Sequence, residues 1–98
     1  MSGNLRVSRR VTRHNQHMVQ YCYEARLDEE PGLEGEIIIR FFIMLGGDVD
    51  RVELVESTMD DEELITCIKE QVRRWRFAEP EGRYLRRVDW PFYFPHGP

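Results

Sequence analysis

The sequence predicts an α+β domain of element order αββαβ, with a three-stranded antiparallel sheet in the order 2-1-3 and two helices on one face. Three observations carry that prediction. A nearly all-apolar run from Gly35 to Leu45 ends in Gly46-Gly47-Asp48, a turn signature that calls for a returning strand over Val49 to Val55. Stretches with apolar residues at helical spacing lie on either side of that hairpin. A second alternating run, Tyr84 to Phe94, follows the later helix and contains Pro91.

The first element is a helix over Arg9 to Leu27, where Val11, Met18, Cys22 and Ala25, with Tyr21 beside them, recur at helical spacing. Asp28-Glu29-Glu30-Pro31-Gly32 ends it, because proline cannot continue a helix and glycine permits the reversal. In the strand that follows, Ile37, Ile39, Phe41 and Ile43 share one face, while Ile38, Phe42 and Met44 put apolar groups on the other. A strand apolar on both sides belongs in the middle of a sheet. Thr58 or Asp60 can cap the second helix, with Ser57-Thr58 read as helix-start chemistry. That helix has Asp61, Glu62 and Glu63 in its first turn and Arg73, Arg74 and Arg76 near its end, charges that oppose the macrodipole. Leu64, Ile65, Ile68, Val72 and Trp75 form its buried stripe. Ala78 to Gly82 is a loop, and Val88, Trp90, Phe92 and Phe94 line one face of the last strand. A helix between the second and third strands is a crossover that runs them in the same direction, which leaves the apolar first strand between them. Pro91 supports an edge position for the last strand. Ile39, Phe41, Ile68, Val72, Trp75 and Phe92 are the expected centre of the core.

Ninety-eight residues make one domain with a two-layer core. We divide the chain into a flexible basic segment at 1–8, the domain at 9–95 and a tail at 96–98. The net charge of −4 hides a split. Up to Leu27, Arg6, Arg9, Arg10, Arg13 and Arg26 stand against Glu24 alone, Asp28 to Glu36 and Glu53 to Glu63 are acidic runs, and Lys69, Arg73, Arg74, Arg76, Arg83, Arg86 and Arg87 make the last third basic. With a negative net charge and no reader motif, the chain does not suggest nucleic-acid binding. No stretch approaches the roughly 20 apolar residues of a membrane helix, so the domain itself is not expected to insert in a bilayer.

Catalytic chemistry is not indicated. Ser8 and Ser57 have no base assigned to them, the carboxylates Asp60 to Glu63 fit a solvated helical turn, and Gly46-Gly47 is explained by the hairpin. His14 and His17 are three apart, which two metal ligands permit, but a solvated helix face explains them without metal. We therefore expect no enzyme activity, cofactor or metal.

The run Cys22-Tyr23-Glu24, then Pro31-x-Leu33-x-Gly35, Ile37-x-Ile39-x-Phe41-x-Ile43, Gly47-x-Val49, Val52, Ser57-Thr58-Met59, Cys67-Ile68, Trp75-x-Phe77, Pro80-x-Gly82 and Val88-x-Trp90-Pro91-Phe92-x-Phe94 resembles the C-terminal domain of TonB-type proteins over about residues 10 to 95. More narrowly it is similar to the AgmX/PglI-type branch linked to gliding motility. The resemblance implies the αββαβ fold, a periplasmic location, a parent protein with a transmembrane anchor in the inner membrane, and contact with outer-membrane or envelope proteins by strand addition. The two cysteines, the basic first helix and the lack of any sign of a siderophore receptor favour a motility or envelope-machine role over nutrient uptake.

Cys22 and Cys67 fall on the two helices, so with both helices on one sheet face a bridge between them fits, and the alternative is two buried free thiols. The periplasmic home implied by the resemblance favours the bridge. For partner docking, the expected edge is Tyr84, Leu85, Arg86, Arg87, Val88 and Asp89, where a partner's extended segment would pair with the last strand. Ile38, Phe42 and Met44 are a second candidate, on the uncovered sheet face. Two alternatives differ in kind: a self-association module that dimerises by the same edge or face, and a basic surface that binds anionic envelope components.

Overall fold

The computed structural model describes residues 2–77 and 86–95, with side chains from Asn15 onward. Its elements are α1 (Ser2–Leu27), β1 (Gly35–Ile43), β2 (Val49–Ser57), α2 (Glu62–Arg73) and β3 (Arg86–Phe94). The strands form one sheet in the order β2-β1-β3, and β1 is antiparallel to both neighbours. Order and directions are those expected from the crossover argument. Tyr84, Leu85 and the loop before them, like the tail at 96–98, lie outside the described residues.

The alternation of β1 decides which face is covered. Ile37, Ile39, Phe41 and Ile43 are buried, whereas Ile38, Arg40, Phe42 and Met44 are half-buried on the other side. Leu64, Ile68 and Val72 of α2 recur every four residues and are fully buried against the first set. Phe41 sits at the centre, edge-on to Trp75 and stacked with Phe77, both at 5.8 Å, and Trp75 also meets Phe92 at 6.2 Å. All six residues expected at the core centre are buried together.

Helix α1 differs from its expected form in two ways. It includes Ser2 onward rather than starting near Arg9, so the backbone at 2–8 is continuous with the domain's helix. Its buried face is Val19, Cys22 and Tyr23, while Met18, Tyr21 and Ala25 are exposed. The cause is tertiary: Tyr23 stacks on Phe94 at 4.8 Å and donates its hydroxyl to the Leu33 carbonyl, which turns the helix by about one residue. Cys22 is joined to Cys67 by a disulfide, with Cα atoms 5.9 Å apart, which ties α1 to α2.

A second tie lies one turn further along α1. The N-cap of α2 is Asp61, not Thr58 or Asp60; its carboxylate accepts the Leu64 N–H at 2.9 Å. Both oxygens of the same buried carboxylate share the single Arg26 Nε–H, at 3.1 and 3.0 Å. Arg26 also pairs with Glu29 and Glu63. Hydrogen bonds to Glu29 and then Asp61 hold its guanidinium above the ordinary arginine value. Ser57 and Thr58 serve the strand end instead of the helix: Ser57 Oγ accepts from Met59 N–H, and Thr58 Oγ1 accepts from Glu36 N–H.

The β1–β2 turn is closed by Met44 N–H to the Asp48 carbonyl at 2.8 Å and Gly47 N–H to the Met44 carbonyl at 2.9 Å. Gly47 has φ +93°, and a Cβ there would collide with the Phe77 carbonyl, so only glycine fits where the chain beyond α2 crosses the turn. Arg76 and Asp48 form an ion pair at the same crossing.

Candidate docking edge

The free side of β3 can be read from the hydrogen bonds of β1. Met44 N–H bonds to Asp48, and the Glu36 carbonyl accepts from Thr58 N–H, so even-numbered β1 residues direct their backbone groups toward β2. Odd-numbered ones must then face β3, where Ile37 meets Phe92, Ile39 meets Trp90 and Phe41 meets Val88. Even-numbered β3 residues therefore pair inward, and Arg87, Asp89, Pro91 and Tyr93 aim theirs at the open edge. Pro91 occupies an outward position, where a missing N–H costs no ladder bond. Among the six expected edge residues, Arg87 and Asp89 offer outward backbone groups, Arg86 and Val88 pair inward with Val88 in the core, and Tyr84 and Leu85 are outside the described residues.

The two edges of the sheet are not equivalent. β3 matches β1 through nine consecutive pairs, from Gly35 with Phe94 to Ile43 with Arg86, with no register shift. β2 has its pairing with β1 interrupted twice, between Ile38 and Ile39 and between Arg40 and Phe42. The first break leaves Val55 unpaired and the second coincides with Arg51, a non-glycine residue at φ +56°. Bulges bend and twist an edge away from further pairing. Nothing in the alternation of Val49 to Val55 announces these breaks, and sequence reasoning missed them.

The uncovered sheet face carries Ile38, Phe42 and Met44, but charged partners are set among them. Arg40 reaches across to Asp89 with bonds of 2.9 and 3.2 Å. The hydrogen bond from Arg40, with a smaller contribution from Arg87, holds the Asp89 carboxyl below the usual aspartate range, and the same bond raises Arg40. The guanidinium of Arg51 stands 5.3 Å over the Phe42 ring, a cation–π contact the bulge makes possible. A hydrogen bond with Glu36 raises the Tyr93 phenol. The face is thus bordered by its own ion pairs, whereas the outer side of the β3 backbone pairs with no strand among the described residues.

Comparison with solved structures identifies the fold. The solution structure of the Pseudomonas aeruginosa TonB C-terminal domain superposes with a TM-score of 0.56 at 24% identity, covering 70% of this chain and 72% of that one. The fold is that of a TonB C-terminal domain. Two solution structures of the Helicobacter pylori TonB C-terminal domain agree: residues 194–285 at a TM-score of 0.51 and 24% identity, over 70% of this chain and 74% of that one, and residues 179–285 at 0.52 and 20%, over 83% and 79%. No protein-family model matches the sequence, and no curated protein is significantly similar to it. In this TonB-like fold no helix among the described residues is long and apolar enough to cross a membrane.

Proposed function

We propose that this TonB-like domain is a non-enzymatic interaction module of the periplasm, the end piece of an inner-membrane-anchored energy-transducing or gliding-motility machine. It docks an outer-membrane or envelope protein by accepting an extended segment of that partner on the free edge of β3. The observation that carries the reading is the asymmetry of the sheet: among the described residues β3 makes nine unbroken pairs with β1 and has no strand on its outer side, against a twice-bulged β2. Main-chain bonds to Arg87 and Asp89 supply affinity in this mode, and Pro91 limits how far pairing extends. The basic residues Arg86 and Arg87 beside that stretch favour a segment that carries acidic side chains. The AgmX/PglI-type assignment is part of the same proposal and rests on the sequence resemblance, with its two cysteines and basic first helix.

The test is Arg87→Pro, which removes an outward N–H and spares the inward ladder. Bait pull-down from envelope extract supplies the partner, and its extended segment is then titrated as a peptide against both proteins. The variant should keep its thermal midpoint within a few degrees and lose partner binding. A folded variant that binds the peptide normally would place docking elsewhere, on the face around Ile38 and Phe42.

A further inference from the structure

The β2 side of the sheet carries a feature of its own. Between the C-terminal half of β2 and the first turns of α2 lies a groove of about 560 Å³. Leu54, Val55 and Ile65 give it apolar walls, and the exposed carboxylates of Glu56, Asp60 and Glu62 border it. Leu54 and Val55 are each 41% exposed, although adjacent strand residues normally point to opposite faces; the bulge at Val55 leaves both uncovered. Among the described residues that line the groove, none is basic. An apolar trough with a carboxylate border suits a helix that presents apolar residues beside cationic ones.

This chain contains such a helix. Residues 1–23 include no aspartate or glutamate, and the backbone is helical from Ser2. Positions 6, 9, 10 and 13, all arginine, follow the spacing i, i+3, i+4, i+7 and so fall on one helix face. Val7 and Val11, one turn apart, run beside that row. The segment cannot reach the groove of its own copy. The last turn of α1 is fixed beside the groove by Arg26 on Asp61, and Cys22 on Cys67 sets the two helices antiparallel. At the helical rise, Arg10 then stands about 24 Å and Arg6 about 30 Å from Arg26, in the direction away from Asp61. The longest dimension is 45 Å, so the helical backbone at 6–13 and the acidic groove lie well apart.

We propose that the domain self-associates head to tail, the N-terminal half of α1 from one copy lying in the β2–α2 groove of the next. Such an interface is heterologous, so each dimer keeps one free helix and one free groove, and assemblies lengthen with concentration. Sedimentation velocity of the oxidised full chain at about 0.02 M and about 0.5 M salt tests it. The sedimentation coefficient should rise with concentration at low salt and return to the monomer value at high salt. Arg10→Glu/Arg13→Glu and Glu56→Lys/Glu62→Lys should each weaken association by at least about tenfold, and an equimolar mixture of the two variants should recover it, because each supplies the surface the other lacks. Thermal denaturation checks that both variants remain folded. A wild-type chain that stays monomeric, association that survives both reversals, or a mixture that fails to recover it overturns the proposal. Association lost in Arg87→Pro but kept in both charge reversals would assign it to the β3 edge and overturn it equally.

Discussion

Breaking the Cys22–Cys67 bridge is the perturbation whose size the structure fixes most directly. The bridged residues are 45 apart in sequence, and the crosslink joins two helices that are otherwise held by side-chain packing and the ion pairs of Arg26 with Asp61 and Glu63. In the chain-entropy account, closing a loop of that length removes enough freedom from the unfolded chain to stabilise the fold by about 4 kcal/mol. For a domain of this size each kcal/mol moves the thermal midpoint by about 4–8 °C, so full reduction should lower it by roughly 15–30 °C. Because the effect acts on the unfolded ensemble, denaturant curves of the reduced chain should also show a steeper slope, as a longer unfolded chain exposes more surface. The assay is thermal and guanidinium denaturation of oxidised chain, reduced chain and the Cys22→Ser/Cys67→Ser variant, with thiol labelling to establish the redox state. An unchanged midpoint after complete reduction would refute the entropic reasoning. Two reactive thiols in native, unreduced protein would remove the bridge itself.

Two further perturbations separate charge from local geometry. Asp61→Ala should cost about 1–2 kcal/mol in chemical denaturation through loss of the α2 cap, whereas Asp61→Asn keeps the acceptor for Leu64 N–H and should cost less, losing only the charge opposite Arg26; equal losses would mean that the cap contributes nothing. The Asp89 carboxyl, held low first by its bond to Arg40, titrates below its unfolded value. Its stabilising contribution is present above the unfolded value, near pH 4, and is lost as pH falls through the lower folded value. Thermal midpoints measured from about pH 6 down to pH 2 should therefore fall more steeply in the wild type than in Asp89→Asn, and parallel curves would contradict the pairing.

The sheet was legible because its signals are local. Alternation in Ile37 to Ile43 and Val88 to Phe94 names the covered face residue by residue, and a single proline at Pro91 places β3 at an edge. Other features depend on partners far away in sequence. Met18, Tyr21 and Ala25 have as good a helical spacing as Val19, Cys22 and Tyr23, and Phe94 with Leu33 decides between them. Asp60 and Asp61 are equivalent cap candidates by type; Arg26, 35 residues earlier, settles the choice. The bulges of β2 have no glycine to mark them, since Arg51 takes the left-handed conformation itself and places its guanidinium on Phe42. The candidate edge was readable as a strand, while its contrast with the other edge was not.

That contrast bears on how the proposed machine would transmit load. If the parent protein holds α1 and the partner is held along β3, tension must pass between two elements that are not neighbours in sequence. The structure joins them twice: Tyr23 stacks on Phe94 near the end of β3, and the disulfide fixes α1 to α2, whose buried side packs under Phe41, the residue paired with Val88. Resistance to pulling is governed by the unfolding rate under force rather than by equilibrium stability. A covalent tie removes separation of α1 from α2 as a route to failure, which leaves the β1–β3 ladder and the docked strand as the bonds that carry load. Nine unbroken pairs in β1–β3 then exceed what the outward groups of Arg87 and Asp89 can form with a partner before Pro91 interrupts the row. In this arrangement the partner detaches before the domain unfolds, as a reusable coupling requires.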